Sequence, residues 1–386
     1  MGGQAVGAAA HVAPAVLAID IARDAGLEPE FIGVYTALVF LAAAISSLAS
    51  GGLIGQRGAI WSVQCGVVLS GLGCALAATG HPAGIYASAI VVGLGYGPMT
   101  PASSVALSRW SPPSRLGLIM SIKQTGVPMG YFATGLLAPL AAETIGWRDG
   151  LLGLAAFCSV FALAMTPAAR RLDEAGPRVG GGFASARRSL GLLKAHSGLM
   201  RIAFASFTFA GVQVAVTSFL VVYLEDHIGL SKQLAAWPLA VAGIAAIAGR
   251  IGWGWLADGT PAPLLLTLLP ALMALCLGLL LLCGPAWGLA PLTLLGLAIG
   301  LSVLAWNGVM LIETARQAPP GEVGLATSGV LALTFLGSTL FPLVLSQTVS
   351  WFQSYEIGFG AMIVLSTLVI FAYAPRAFEK GAFKKT

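Results

Sequence analysis

Two basic side chains stand where a charge is expensive. Lys123 interrupts an otherwise charge-free stretch that runs on to Ala142, and Arg250 follows another, 233–249. Each lies eight residues from the polar edge of its stretch, marked by Arg115 in one case and Asp258 in the other. If the stretches are membrane helices, a rise of about 1.5 Å per residue puts each cation about 12 Å into a core about 30 Å thick. An ionised group at that depth costs roughly 2.5–3.5 kcal/mol on insertion scales, so its presence points to a task. Two cations converging on a low-dielectric cavity need an anion. Asp20, Glu225, Asp226, Glu313 and Glu356 all fall near span ends, so the pattern implies an anionic substrate. Arg250 would grip a carboxylate with its planar fork, and Lys123 would add a point charge. A purely structural reading stays open. Arg250 would then pair with the loop of Asp258 or cap carbonyls, and Lys123 would snorkel to the interface.

Neutral polar residues complete such a site. Gln124 follows Lys123, Gln213 lies mid-span, and Trp306 and Asn307 are adjacent in a later span. Tyr35 and Tyr131 lie in the second and fifth spans, and His11 lies mid-way along the first, three residues before Pro14. The alternative for the amides and tyrosines is a hydrogen bond between helices. For His11 it is a ring bonded to a backbone carbonyl; as an imidazole it is also the candidate proton carrier. The stretch 95–104 carries two prolines, Pro98 and Pro101, whose freed carbonyls either line a cavity or permit a bend.

The elements that must hold these residues follow from composition. The chain has 386 residues, 57% hydrophobic and 9% charged, against about 25% charged in a soluble domain. Mean hydropathy is +0.89. So few charges cannot cover a soluble globule, and the apolar content excludes disorder. The 50 glycines follow no period of three, which excludes collagen. The expected class is an all-α membrane protein. Charge-free intervals, split at 80–84 and 283–288, give twelve spans near 4–22, 30–55, 60–79, 85–108, 117–141, 150–168, 200–224, 235–257, 262–283, 288–312, 324–349 and 356–375. No basic region precedes the first, so it reads as a span and not as a signal peptide. Cys65, Cys74, Cys158, Cys276 and Cys283 sit in apolar runs without CxxC or nearby His, so neither a disulfide framework nor a zinc site is implied.

Charge asymmetry sets the orientation. With the N-terminus inside, inward loops and end turns carry fifteen of the 20 Lys and Arg, outward loops three: Arg23, Arg148 and Lys232. Both termini are therefore expected in the cytoplasm. Residues 170–198 hold six basic and two acidic residues and the run Gly180-Gly181-Gly182. This reads as a cytoplasmic linker that meets anionic headgroups, with a short interfacial helix around Arg187-Arg188-Ser189-Leu190. It lacks the aromatic interleaving of a nucleic-acid surface. The expected organisation is a six-helix bundle over 1–169, the linker over 170–198, and a second bundle with a short tail over 199–386.

The halves echo each other. Gly51-Gly52-Leu53-Ile54-Gly55-Gln56-Arg57-Gly58 follows the second span, and Gly252-Trp253-Gly254-Trp255-Leu256-Ala257-Asp258-Gly259 closes the eighth. At these residues the chain resembles the major facilitator superfamily, whose loop motif Gly-x-Leu-Ala-Asp-Arg-x-Gly occurs once per half. The second copy keeps the acid as Asp258; the first has Gly55 in its place. The resemblance implies a gating role for Asp258 and for Arg57 in these turns. Gly126-Val127-Pro128-Met129-Gly130 is similar to the family's Gly-Pro helix motif, without the adjacent Gly-Pro of its antiporter form. Gly249-Arg250-Ile251-Gly252-Trp253-Gly254 resembles the eighth span of monocarboxylate and oxalate–formate porters, where an arginine holds a carboxylate. The family implies two bundles rocking about a central site.

The reading is a monomeric plasma (inner) membrane carrier of a small organic anion. It is expected to use proton coupling or exchange, with membrane lipids around it and no nucleic-acid partner. No Gly-x-x-x-x-Gly-Lys-Ser/Thr loop is present, so ATP does not drive it, and no cofactor is implied. Efflux of neutral or anionic compounds is the alternative. A membrane sensor or intramembrane enzyme would need a soluble domain or a clustered catalytic set, and the chain shows neither.

Overall fold

The computed structural model describes residues 1–27, 31–173 and 182–377. Arg178, Gly180 and Gly181 of the linker and Lys380, Lys384 and Lys385 of the tail lie outside the described residues, as do the side chains of Asp226, Lys232 and Arg376. The described chain is helical throughout: α1 (Gly2–Val16), α2 (Ala18–Ala25), α3 (Phe31–Arg57), α4 (Ala59–Ala77), α5 (Pro82–Trp110), α6 (Leu116–Gln124), α7 (Gly126–Thr144), α8 (Trp147–Ala164), α9 (Thr166–Leu172), α10 (Phe183–Ala195), α11 (Ser197–Val222), α12 (Lys232–Gly259), α13 (Ala262–Leu281), α14 (Leu289–Leu301), α15 (Asn307–Gln317), α16 (Val323–Phe352) and α17 (Tyr355–Ala377).

Each of the twelve expected spans coincides with a helix or a broken pair. Among the described residues nine helices are long and apolar enough to cross a membrane unbroken. Three spans differ from the expected continuous helices. The first bends by 55° between α1 and α2. The fifth breaks between α6 and α7 at Thr125, and the tenth between α14 and α15 over 302–306. The segment around Arg187-Arg188-Ser189-Leu190 lies in the helix α10.

Two compact units emerge, and they are not the two sequence halves. Unit 1 comprises residues 1–110, 123–199 and 317–335. Unit 2 comprises 111–122, 200–316 and 336–386. Boundaries therefore fall inside α6, α11, α15 and α16.

Unit 1 is built on helices pressed close at small residues. α5 packs on both α3 and α4, and α1 on α7. A Cβ at Gly130 of α7 would collide with the Ala5 carbonyl of α1. Gly58, with φ +104, turns the chain into α4, and the Asp173 carboxylate fills the space a side chain there would need. That carboxylate accepts hydrogen bonds from the backbone N–H groups of Ile60 (2.8 Å) and Trp61 (2.7 Å), satisfying the open end of α4. The start of α16 is held by hydroxyls. Ser47 Oγ donates to the Ser328 carbonyl at 3.3 Å, and Ser50 Oγ meets Ser328 Oγ at 3.3 Å. α10 joins them: Gly52 N–H donates to Ser185 Oγ (2.8 Å), and Arg188 pairs with Glu322. In unit 2, α12 packs on α14 and α13 on α17.

Gly130→Val is expected to destabilise the protein by about 1–3 kcal/mol, because a backbone carbonyl cannot yield the space. Gly135→Val on the same helix meets open space and should melt at or slightly above the wild-type temperature. Thermal unfolding in detergent checks this; equal melting of the two variants would contradict the close approach.

Candidate functional site

Unit 1 buries a cation against neutral groups. Lys123, at the end of α6, is 3% exposed. Its Nζ donates to Ser104 Oγ of α5 at 3.2 Å. Among the described residues no carboxylate lies within 4.0 Å of it. Gln124 is buried beside it. Along α1, Gln4 Nε2 donates to Thr100 Oγ1 of α5 at 2.6 Å. Seven residues on, His11 is buried against Tyr96 of α5 (ring centroids 5.3 Å) and Phe40 of α3 (5.1 Å). Its Nδ1 lies 3.2 Å from the Tyr131 hydroxyl of α7. Phe335 of α16 packs on Phe40 and Tyr96. The structure thus joins two expected site residues, His11 and Tyr131. Tyr35 lies elsewhere in unit 1, fully buried among Phe31, Val39 and Ile85, with its oxygen accepting from Ser88 Oγ at 3.3 Å.

Unit 2 organises its polar groups about the break in the tenth span. Residues 302–306 leave α-helical geometry, so carbonyls at the end of α14 lose their regular donors. α12 supplies replacements. Arg250 Nε donates to the Leu304 carbonyl at 3.0 Å, and Trp253 Nε1 to the Leu301 carbonyl at 2.6 Å. These donors are three residues apart and share one helix face. Arg250 is 4% exposed. Trp306 Nε1 donates to Gln213 Oε1 at 2.8 Å, and its ring meets Phe209 edge-on at 5.7 Å. Asn307 opens α15, and its Nδ2 is buried with no hydrogen-bond partner among the described residues. Gln213, Trp306, Asn307 and Arg250 thus belong to one unit, the first two in direct contact. Glu313, read as a span-end acid, is 8% exposed on α15, so unit 2 buries an acid as well as an arginine.

Asp258 takes a role distinct from pairing with Arg250. Its Oδ1 accepts from Gly117 N–H at 2.7 Å and its Oδ2 from Leu118 N–H at 3.0 Å, closing the first turn of α6. Gly117 and Gly254 let α6 and α12 approach at this point. Arg57 lies over the Trp61 ring, 5.5 Å from its centroid. Gly126 and Gly130 mark where α7 meets α1, and Pro128 lies between them in the first turn of α7.

Comparison with known proteins follows from this architecture. Residues 3–317 match the Major Facilitator Superfamily. Two uncharacterized MFS-type transporters from strains of Mycobacterium tuberculosis, MT3072 and Rv2994, are each 30% identical over 166 residues, 43% of this chain. The chain spans only about a third of the length of those relatives, 36%. Its fold is similar to that of the human organic anion transporter MFSD10 (TETRAN), with TM-score 0.76 and 16% identity over 96% of each chain. It is similar also to the proton:xylose symporter XylE bound to 6-bromo-6-deoxy-D-glucose, with TM-score 0.67 and 16% identity over 97% of this chain and 94% of that one.

Asp258→Ala leaves two N–H groups of α6 without their carboxylate. It should cost about 1–3 kcal/mol, and Asp258→Asn, which keeps one acceptor, less. Thermal unfolding of the purified variants tests the order. Wild-type stability in Asp258→Ala would show that the bonds carry nothing.

Proposed function

The chain belongs to the major facilitator superfamily, and on that premise we propose that it carries a small organic anion, of the monocarboxylate kind, by alternating access. It is a multi-pass membrane protein and a secondary transporter of small molecules, not an enzyme. The observation that carries the finer reading is Lys123, an amine 97% removed from solvent that donates to a neutral hydroxyl. An ammonium so placed is stabilised by an anion that arrives from outside the protein. Arg250 is the second anchor in this reading. Its Nε donates to the Leu304 carbonyl, which fixes the plane of the guanidinium. Asn307 Nδ2 adds a donor in the same unit. The fold neighbour MFSD10 is an organic anion transporter, which is in keeping with this reading.

An anion entering against 100 mV, inside negative, is opposed by about 2.3 kcal/mol per charge. Uptake is therefore balanced by a proton or by a counter-anion. Asp258 serves as the lock on the turn between α12 and α13 in one state of the cycle. Buried Glu313 favours a second reading, export of cationic compounds, because such cargo needs a buried carboxylate. Placement in a bacterial inner membrane, with both termini cytoplasmic and the carrier monomeric, belongs to the same proposal.

Binding and proteoliposome counterflow of radiolabelled lactate, pyruvate and benzoate test the anion site. Lys123→Gln should weaken binding at least tenfold, about 1.4 kcal/mol. Arg250→Lys should abolish most of it, since an ammonium cannot reproduce the fork. Wild-type affinity in both variants would remove the anion site and leave export of neutral or cationic compounds ahead. Topology has its own test. Cysteines placed near Lys194 should react only from the cytoplasm and those near Lys232 only from outside; the reverse would overturn the orientation.

A further inference from the structure

Every fourth residue on one face of α5 is hydroxylated: Tyr96, Thr100, Ser104 and Ser108. Twelve residues of helix carry this stripe about 18 Å along the axis. Each of the first three hydroxylated residues meets a polar residue of another helix in unit 1. The His11 ring stacks on Tyr96, Gln4 Nε2 donates to Thr100 Oγ1, and Lys123 Nζ donates to Ser104 Oγ. His11 and Gln4 are seven residues apart, two turns along one face of α1.

The stripe is under-satisfied by protein. Gln4 is 3% exposed, yet its Oε1 has no hydrogen-bond partner among the described residues. Ser108 Oγ is likewise buried without one. Buried polar atoms left by the protein are satisfied by water. The prolines of α5 add to this: Pro98 and Pro101 have no N–H to offer the carbonyls of Leu94 and Gly97.

We propose that this stripe is a hydrated proton path joining His11 to Lys123. The inference rests on the anion-carrier reading above and names its coupling ion. An N–H bond breaks at the imidazolium of His11, each water or hydroxyl passes on one proton as it receives one, and an N–H bond forms at the Lys123 amine. Charge moves towards Lys123 as the anion reaches it, so one proton accompanies one negative charge. The groups facing His11 are Tyr96 of α5, Tyr131 of α7 and Phe40 of α3, of which the two phenols are titratable. Lys123 faces Ser104 and feels the Met1 amino group. No carboxylate lies within 4.0 Å of Lys123 among the described residues to hold the proton instead.

Two measurements test the path. The first needs no substrate. With the five native cysteines replaced by alanine, Gln4→Cys, Thr100→Cys and Ser104→Cys should react with silver ions, which travel with water, at least tenfold faster than Val67→Cys and Ala102→Cys. The latter two positions are buried in an apolar cluster of unit 1, outside the four-residue register of the stripe. Reaction as slow as at those controls overturns the path. The second uses pyranine-loaded proteoliposomes given external lactate, with empty liposomes as blank. Thr100→Val should slow lactate-driven acidification at least fivefold while lactate homoexchange changes less than twofold. Wild-type acidification in Thr100→Val overturns the path. Absence of acidification in a wild type that still exchanges lactate overturns the proton coupling; absence of lactate exchange as well counts against the carboxylate reading instead, and the silver reaction still decides whether the stripe is wet.

Discussion

Hydrocarbon satisfies no hydrogen bond. A chain that is 57% hydrophobic and folds within a bilayer must therefore pair its polar groups internally or with what it carries. Most of the structure follows from this constraint. Continuous helices meet it along their interiors, and among the described residues nine are long and apolar enough to cross a bilayer. Where a helix is interrupted, side chains supply what the backbone has lost. The break over 302–306 is sustained by Arg250 and Trp253 from α12, whose N–H groups reach the Leu304 and Leu301 carbonyls. The open start of α6 is closed by Asp258, and that of α4 by Asp173. Lys123 stands out against this background as a buried amine whose partner is a hydroxyl.

The same constraint shows why the repeated turns are unequal. In unit 2 the turn after α12 keeps an acid, and the acid binds backbone N–H groups of α6. In unit 1 the corresponding turn has Gly55, beside which a side chain would meet open space. The start of α16 is secured without that acid. Ser47, Ser50 and Ser328 interlock, and α10 contributes Ser185 and the Arg188–Glu322 pair. One turn therefore relies on an ion against a helix end, the other on hydroxyls and a linker helix.

Much of this was legible in the sequence, because charge-free intervals of helical length need only composition to be seen. All twelve spans were found that way, and so were the buried positions of Lys123 and Arg250. The interruptions were not. Thr125 and residues 302–306 carry no proline and no charge of their own, and the break at 302–306 depends on donors from α12 that no local window contains. The pairing of Trp306 with Gln213 spans 93 residues and that of Tyr131 with His11 spans 120, so neither has a local signature. Glu313 was placed at a span end by counting along the chain; packing buries it. The twice-proline stretch was read for its freed carbonyls, and the hydroxyl stripe through Thr100 and Ser104 went unread. Its meaning came only with Gln4 and Lys123 beside it.

The central claim is that the buried cations exist to meet an anion. The most direct test is the thermal stability of the purified wild-type protein across a panel of small carboxylates and cationic dyes. A carboxylate at 100 times its dissociation constant should stabilise the folded protein by about 2.7 kcal/mol, while the dyes leave it unchanged. Stabilisation by the dyes and by none of the carboxylates would contradict the account.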